Sequence, residues 1–145
     1  MEVEASIDLP APPQRVFDLL LDVERLGEWV TAHEELVESP AGVLAEGSTF
    51  GQKLRVAGIS FTVRWEVARL QRPRLVEWRG EGPGGSDARV RYSLEPHGEG
   101  TRFDYLNEFR FPGGPLASKA AGAIGGRRAR HEAERSLESL KALLA

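Results

Sequence analysis

Tyr105 and Asn107 stand two residues apart in the run "TRFDYLNEFRF", residues 101–111. A phenol and an amide both donate and accept hydrogen bonds, so this pair can orient or polarise an oxygen on a small molecule. No inward carboxylate or histidine accompanies them as a general base. At period two, Phe103, Tyr105, Asn107, Phe109 and Phe111 share one face of the run. Arg102, Asp104, Glu108 and Arg110 share the other, with Leu106 the exception. Such alternation predicts a half-buried strand with its aromatic face inward. A buried amide or hydroxyl costs free energy unless it finds a partner. These two groups therefore either bond to protein or line a space that holds something else.

Gln52 is in phase with Phe50, Leu54 and Val56, which puts a second amide on an inward face. Tyr92 is a further inward polar tip. Trp29, Trp65 and Trp78 are large aromatics suited first to core packing and also to ligand walls; Trp29 lies just past a helix stop, where a cavity mouth would be. Arg130 falls seven residues before Leu137, near the buried stripe of a helix. It is placed either to hold a ligand carboxylate or to pair with a sheet residue. Its neighbours Arg127, Arg128 and His131 read as a solvated face paired to Glu132, Glu134 and Glu138. His33, His97 and His131 show no zinc-ligand spacing, so no metal is expected. Nucleophile elbow, P-loop and dinucleotide fingerprint are all missing, and no cofactor is expected. "GPGG" at 82–85 lies between two strands and reads as a hairpin turn.

The elements that must position these residues follow from periodicity. Val3, Ala5, Ile7 and Leu9 alternate with Glu2, Glu4, Ser6 and Asp8, a first strand. Pro12 and Pro13 suit a first helical turn, followed by Val16, Phe17, Leu20 and Leu21 at helical spacing. A second short helix from Asp22 carries Val23 and Leu26 and stops at Gly27. Strands are then predicted at 33–39, 48–57, 59–71, 74–82, 86–96 and 101–111. The short turns between them imply antiparallel neighbours. A long closing helix carries Ala133, Leu137, Leu140 and Leu144, and is the only element large enough to cover the sheet's buried face. Its first half is crowded with Ala117, Ala120, Ala121, Gly122, Ala123, Gly125 and Gly126. Small residues there allow close backbone approach, a break near Gly125, or a movable half that gates a cavity.

The chain has 145 residues and no cysteine, and its formal net charge is -3. That length is the size of a single domain, 1–145, with its own core. Disulfides and thiolate metal sites are excluded, and a cytoplasmic location is expected. The charge does not favour nucleic acid. With no long apolar run, neither secretion nor integral membrane association is expected.

The opening "ASIDLPAPPQRVFDLLLDVERLGEW", the mid-chain "VRWEVARLQRPRLVEWRG", the strand pair "RVRYSLEPHGEGTRFDYLNEFRF" and the closing "ERSLESLKALL" occur in an order that resembles the START-like (SRPBCC) superfamily. The similarity is to its polyketide cyclase/dehydrase-like branch of small bacterial proteins. That resemblance implies an α+β helix-grip fold: a seven-stranded curved antiparallel sheet around the long C-terminal helix, with two short helices after the first strand. It implies a cavity for a hydrophobic small molecule (aromatic, polyketide-like or lipid-like), with or without cyclase/dehydratase activity. It carries no catalytic signature. The expected ligand-binding set is Trp29, Gln52, Trp65, Trp78, Tyr92, Phe103, Tyr105, Asn107, Phe109 and Arg130. The alternative is a protein-interaction or lipid-chaperone module without catalysis, as a monomer or homodimer.

Overall fold

The structure is a computed structural model that describes residues 2–56, 58–111 and 125–145. β1 (Glu2–Leu9) is followed by α1 (Pro13–Leu21) and a 3-10 helix (Val23–Glu28). β2 (His33–Glu38), β3 (Thr49–Val56), β4 (Ile59–Gln71), β5 (Leu75–Glu81), β6 (Asp87–His97) and β7 (Gly100–Arg110) come next, and α2 (Gly126–Leu144) ends the chain. Six strands were expected between residues 33 and 111, and each boundary falls within one residue of the expected position. The fold is the helix-grip type: a seven-stranded antiparallel sheet in the order β1-β7-β6-β5-β4-β3-β2, with helices on one face.

The strand order sets the position of the first helices. β1 and β2 are the two edges of the sheet, so residues 10–32 must carry the chain from one edge to the other. Pro13 opens α1 at a position where its missing N–H costs nothing. Val16, Phe17 and Leu20 from α1 then lose all exposure to water. The expectation that the last helix alone covers the sheet is therefore corrected. α1 packs on β6 and β7, while α2 packs on β1 and the 3-10 helix. On α2 the stripe of Ala133, Leu137, Leu140 and Leu144 is buried, as its spacing requires. Burying a leucine such as Leu140 contributes about 1.5–3 kcal/mol.

The other face meets water. It carries cross-strand ion pairs such as Arg79–Glu66 at 3.7 Å and Arg110–Asp87 at 2.6 Å. Exposed pairs of this kind contribute about 0–1 kcal/mol each. Leu106, the exception in the alternation of β7, is buried between its register partners Glu4 and Arg91. The small-residue stretch from Ala117 to Ala123, and any gate formed by it, lies outside the described residues. Gly125 has an extended ψ of 143° and caps α2, so the helix described here starts at Gly126.

Candidate functional site

A cavity of about 230 Å³ lies between the concave face of the sheet, the 3-10 helix and α2. Strand register builds its floor. Trp65, Gly80, Ala88 and Phe109 follow one another across β4 to β7. The next row on that face holds Val67, Trp78, Val90, Asn107 and Val3, and the one beyond it Val76, Tyr92, Tyr105 and Ala5. Phe50, Gln52 and Leu54 of β3 and Phe61 of β4 form one wall, and Val23, Leu26 and Trp29 form another. Ala133 and Leu137 of α2 close the top. The cavity reaches the surface at a polar rim of Thr31, Arg55, Arg128, Glu132 and Ser136. There the Thr31 hydroxyl donates to Glu132 Oε2 at 2.7 Å, and the Thr31 backbone N–H donates to Ser136 Oγ at 3.1 Å. These bonds tie the turn after the 3-10 helix to α2.

Gly80 permits the position of Trp65. A Cβ on Gly80 would lie 2.7 Å from Cζ3 of the Trp65 ring and 2.8 Å from Val63 Cγ1, so the indole rests directly on bare backbone. From there Trp65 Nε1–H donates to Gln52 Oε1 at 2.9 Å. An indole N–H can only donate, so the Gln52 oxygen is its acceptor and the Gln52 amide nitrogen faces His33 Nδ1, at 2.9 Å. Nδ1 must then accept, which places the His33 proton on Nε2 and leaves the ring neutral. Partial burial lowers the His33 pKa below its ordinary value, in the same sense. Gln52 is thus satisfied by protein on both ends of its amide, although its side chain lies in the cavity wall.

Tyr92 is the centre of an aromatic cluster. Trp29 and Trp78 meet it edge to face at 6.1 and 6.3 Å, and Tyr105 stacks on it at 5.9 Å. Burial pushes the Tyr92 hydroxyl far above the usual phenol range, and neighbouring Tyr105 pushes it the same way. Burial also raises Tyr105, against a hydrogen bond from Asn107 that pulls it down. That bond runs from Asn107 Nδ2 to Tyr105 Oη at 2.6 Å. Both hydroxyls stay protonated at neutral pH and can donate.

Trp29, Gln52, Trp65, Trp78, Tyr92, Tyr105, Asn107 and Phe109 all line the cavity. Phe103 and Arg130 are not among the residues that line it. Phe103 is fully buried four residues before Asn107, edge-on to Tyr92 at 5.4 Å. The Arg130 guanidinium is exposed and lies 3.5 Å from Glu134 on its own helix. Arg128, two residues earlier, is the arginine at the rim. His33 carried no sequence signal for its bond to Gln52. Its register partner is Leu54, and two irregularities in the β2–β3 pairing shift the strand, so alternation does not reveal the contact. Among the described residues no three His, Asp or Glu side chains cluster as metal ligands do. No helix among them is long and apolar enough to cross a membrane.

Residues 1–145 match the family model described as polyketide cyclase / dehydrase and lipid transport. The uncharacterized protein Rv1546 of Mycobacterium tuberculosis is 32% identical over 143 residues, covering 97% of this chain and 96% of its own. Two crystal structures share the fold across 99% of this chain and 97% of theirs. TTHA0849 from Thermus thermophilus has a TM-score of 0.74 at 19% identity, and CV1439 from Chromobacterium violaceum a TM-score of 0.73 at 20% identity. By the match along its whole length, this chain belongs to the polyketide cyclase / dehydrase and lipid transport family.

Proposed function

We propose that this protein binds a hydrophobic small molecule, aromatic, polyketide-like or lipid-like, in the cavity between sheet and α2. The observation that carries the reading is the cavity itself: apolar and aromatic walls, a few polar tips, and an opening at a polar rim. Small-molecule sites are commonly built this way. Its volume of about 230 Å³ is below the ~300–1,000 Å³ common for such sites. A small ring system fits inside, and a longer chain has to project past Thr31 and Arg128. A pure interaction module has no need to keep this space, which several larger side chains along the wall would fill.

Cyclisation or dehydration of the bound molecule would rest on positioning, with Tyr105 and Asn107 polarising an oxygen. The interior offers no carboxylate among the described lining residues, and Glu132 is at the rim. Native mass spectrometry of protein purified from its own host tests the reading. A small molecule that co-purifies with wild type and is lost from Ala133→Phe is the expected result. Bare wild-type protein that also takes up no apolar dye would overturn it and favour the interaction module.

A further inference from the structure

Of the three indoles in the cavity wall, only Trp65 has its N–H bonded. Trp29 Nε1, Trp78 Nε1 and Asn107 Oδ1 are the buried side-chain polar atoms without a partner among the described residues. The Trp65 bond is the inner end of a chain that leads outward. Trp65 and Gln52 are 7% and 5% exposed and line the cavity, whereas His33 is only partly buried and is not among the lining residues. Solvent protons therefore reach His33, and the hydrogen bonds carry the consequence inward. The imidazole is held on two sides. Its Nδ1 meets Gln52 Nε2 at 2.9 Å. Its Cδ2 lies 3.2 Å from where a Cβ on Gly27 would be, so the ring rests against bare backbone of the 3-10 helix.

Once Nδ1 carries a proton, no arrangement satisfies every member of the chain. The glutamine amide has one acceptor oxygen, and the indole can only donate. With His33 neutral, that oxygen serves Trp65 and the amide nitrogen serves Nδ1. An imidazolium needs the oxygen for itself, and a hydrogen bond from a charged donor is about twice as strong as one from a neutral donor. The amide then turns, and the Trp65 N–H is left facing another donor. Other ionisable groups do not relieve this. Those on the elements packed against His33 are Glu24, Arg25 and Glu28 of the 3-10 helix and Lys53 and Arg55 of β3, with Glu34, Glu35 and Glu38 on its own strand. Glu28 is bonded to Arg25 at 2.7 Å, and Glu34 accepts from Ser60 at 2.8 Å with Lys53 at 3.7 Å. Burial lowers the His33 pKa, and none of these charges offsets it.

We propose that His33 is a proton-operated switch on the polarity of the cavity wall. Neutral His33 keeps the Trp65 N–H tied to Gln52, and that part of the wall offers a ligand no free donor. Protonated His33 takes the Gln52 oxygen and turns the Trp65 N–H over to an acceptor inside the cavity. Acid thus favours a ligand that carries an acceptor oxygen over an apolar one of the same shape. The ligand half of this proposal rests on the cavity being a small-molecule site; the hydrogen-bond half does not.

The test uses ethylnaphthalene and acetylnaphthalene, which match in size and carry no group that titrates near neutrality. Each is titrated by calorimetry into wild type and His33→Asn from about pH 8 downward, with the His33 ring protons followed by NMR. As His33 protonates, the advantage of the acetyl probe over the ethyl probe should grow about fivefold in wild type, the worth of one hydrogen bond. It should stay constant in His33→Asn, which keeps an acceptor for Gln52 but does not titrate. By linkage, acetylnaphthalene should raise the His33 pKa in the same proportion, and ethylnaphthalene should leave it in place. An acetyl advantage that ignores the His33 titration would overturn the proposal while the cavity reading stands. A His33 that stays neutral down to acid unfolding would overturn it too. If neither probe binds at any pH, the cavity reading fails and the free protein decides the switch. The Trp65 indole N–H resonance should then move with the His33 titration, and a resonance that stays fixed overturns the proposal. If His33→Asn does not fold, the wild-type profiles decide alone.

Discussion

Phe103 and Asn107 lie on the same strand and the same face, about 13 Å apart along β7. At Phe103 the sheet is packed solid: Phe103 and its register partner Leu94 are fully or almost fully buried, as are Val16 and Phe17 of α1, which packs on β6 and β7. Its one buried polar side chain on β7, Thr101, donates to Ala11 O at 2.7 Å. At Asn107 the same sheet encloses a cavity, and all three orphaned polar atoms belong to residues of its wall. One end has its polar groups matched and its volume filled; the other leaves three buried polar atoms unmatched and a volume open. The fold is held by the first end, which leaves the second free to be shaped for a ligand.

The largest expected effects follow from the packed end. Phe103→Ala should cost about 3–5 kcal/mol and Leu140→Ala about 2–5 kcal/mol, read from urea midpoints. The exposed control Glu138→Ala should stay within roughly 0.5 kcal/mol. A Phe103→Ala variant with a wild-type midpoint would erase the distinction between the ends.

Next is Gly80→Ala, at the border of the cavity. The new methyl would run into the Trp65 ring and Val63, an overpacking that typically costs about 1–3 kcal/mol. It should also pull Trp65 Nε1 from Gln52 and shift tryptophan emission. A change in stability with unaltered emission would mean that the sheet yields and the indole does not move.

At the hollow end, Tyr105→Phe should cost about 1–3 kcal/mol, because Asn107 Nδ2 loses its acceptor. Asn107→Leu should cost less or even stabilise, since it removes an orphaned oxygen. The double variant should then be near wild type, and the cycle should show coupling of the pair. Additive costs would place the two residues in separate environments and break the comparison at its hollow end.

Which parts of this were legible in sequence follows from which physics set them. Alternation located every strand, because one face is wet and the other is not. Helical spacing found the α2 stripe for the same reason. The cover supplied by α1 was not legible, since it depends on β1 and β2 being opposite edges, a fact of topology. Gln52, Tyr92, Tyr105 and Asn107 lie on regular strands, where alternation puts a residue on the inward face, and all four line the cavity. Phe103 shares that face without lining the cavity, because alternation reports which face a residue is on, and not how far along the strand packing gives way to space. Helical spacing puts Arg130 near the buried stripe and Arg128 on the solvated face, whereas Arg128 is the one at the cavity rim: helical phase near a terminus is sensitive to where the helix begins.

The smallest effect concerns His33, which couples proton concentration to the cavity wall. The chain of donors runs one way, from Trp65 to Gln52 to His33 Nδ1, and protonating Nδ1 would set a donor against a donor. Turning the Gln52 amide would satisfy His33 but leave the Trp65 N–H facing another donor. The charged side chains nearest in register are Glu34 and Glu35 on β2, Lys53 and Arg55 on β3, with Glu28 on the 3-10 helix. Glu34 lies 3.7 Å from Lys53, and Arg25 holds Glu28 at 2.7 Å, so both carboxylates are engaged away from the imidazole. Burial lowers the folded-state pKa below the ordinary 6.5. Between the two values the unfolded chain binds more protons, so stability rises with pH. The His33 contribution is therefore complete above about 6.5 and is lost as pH falls from there through the lower folded value. Urea midpoints taken downward from neutral pH should decline in wild type. His33→Asn keeps an acceptor for Gln52 but does not titrate, so its decline should be shallower. Parallel curves for the two proteins would show that His33 is not held neutral by Gln52.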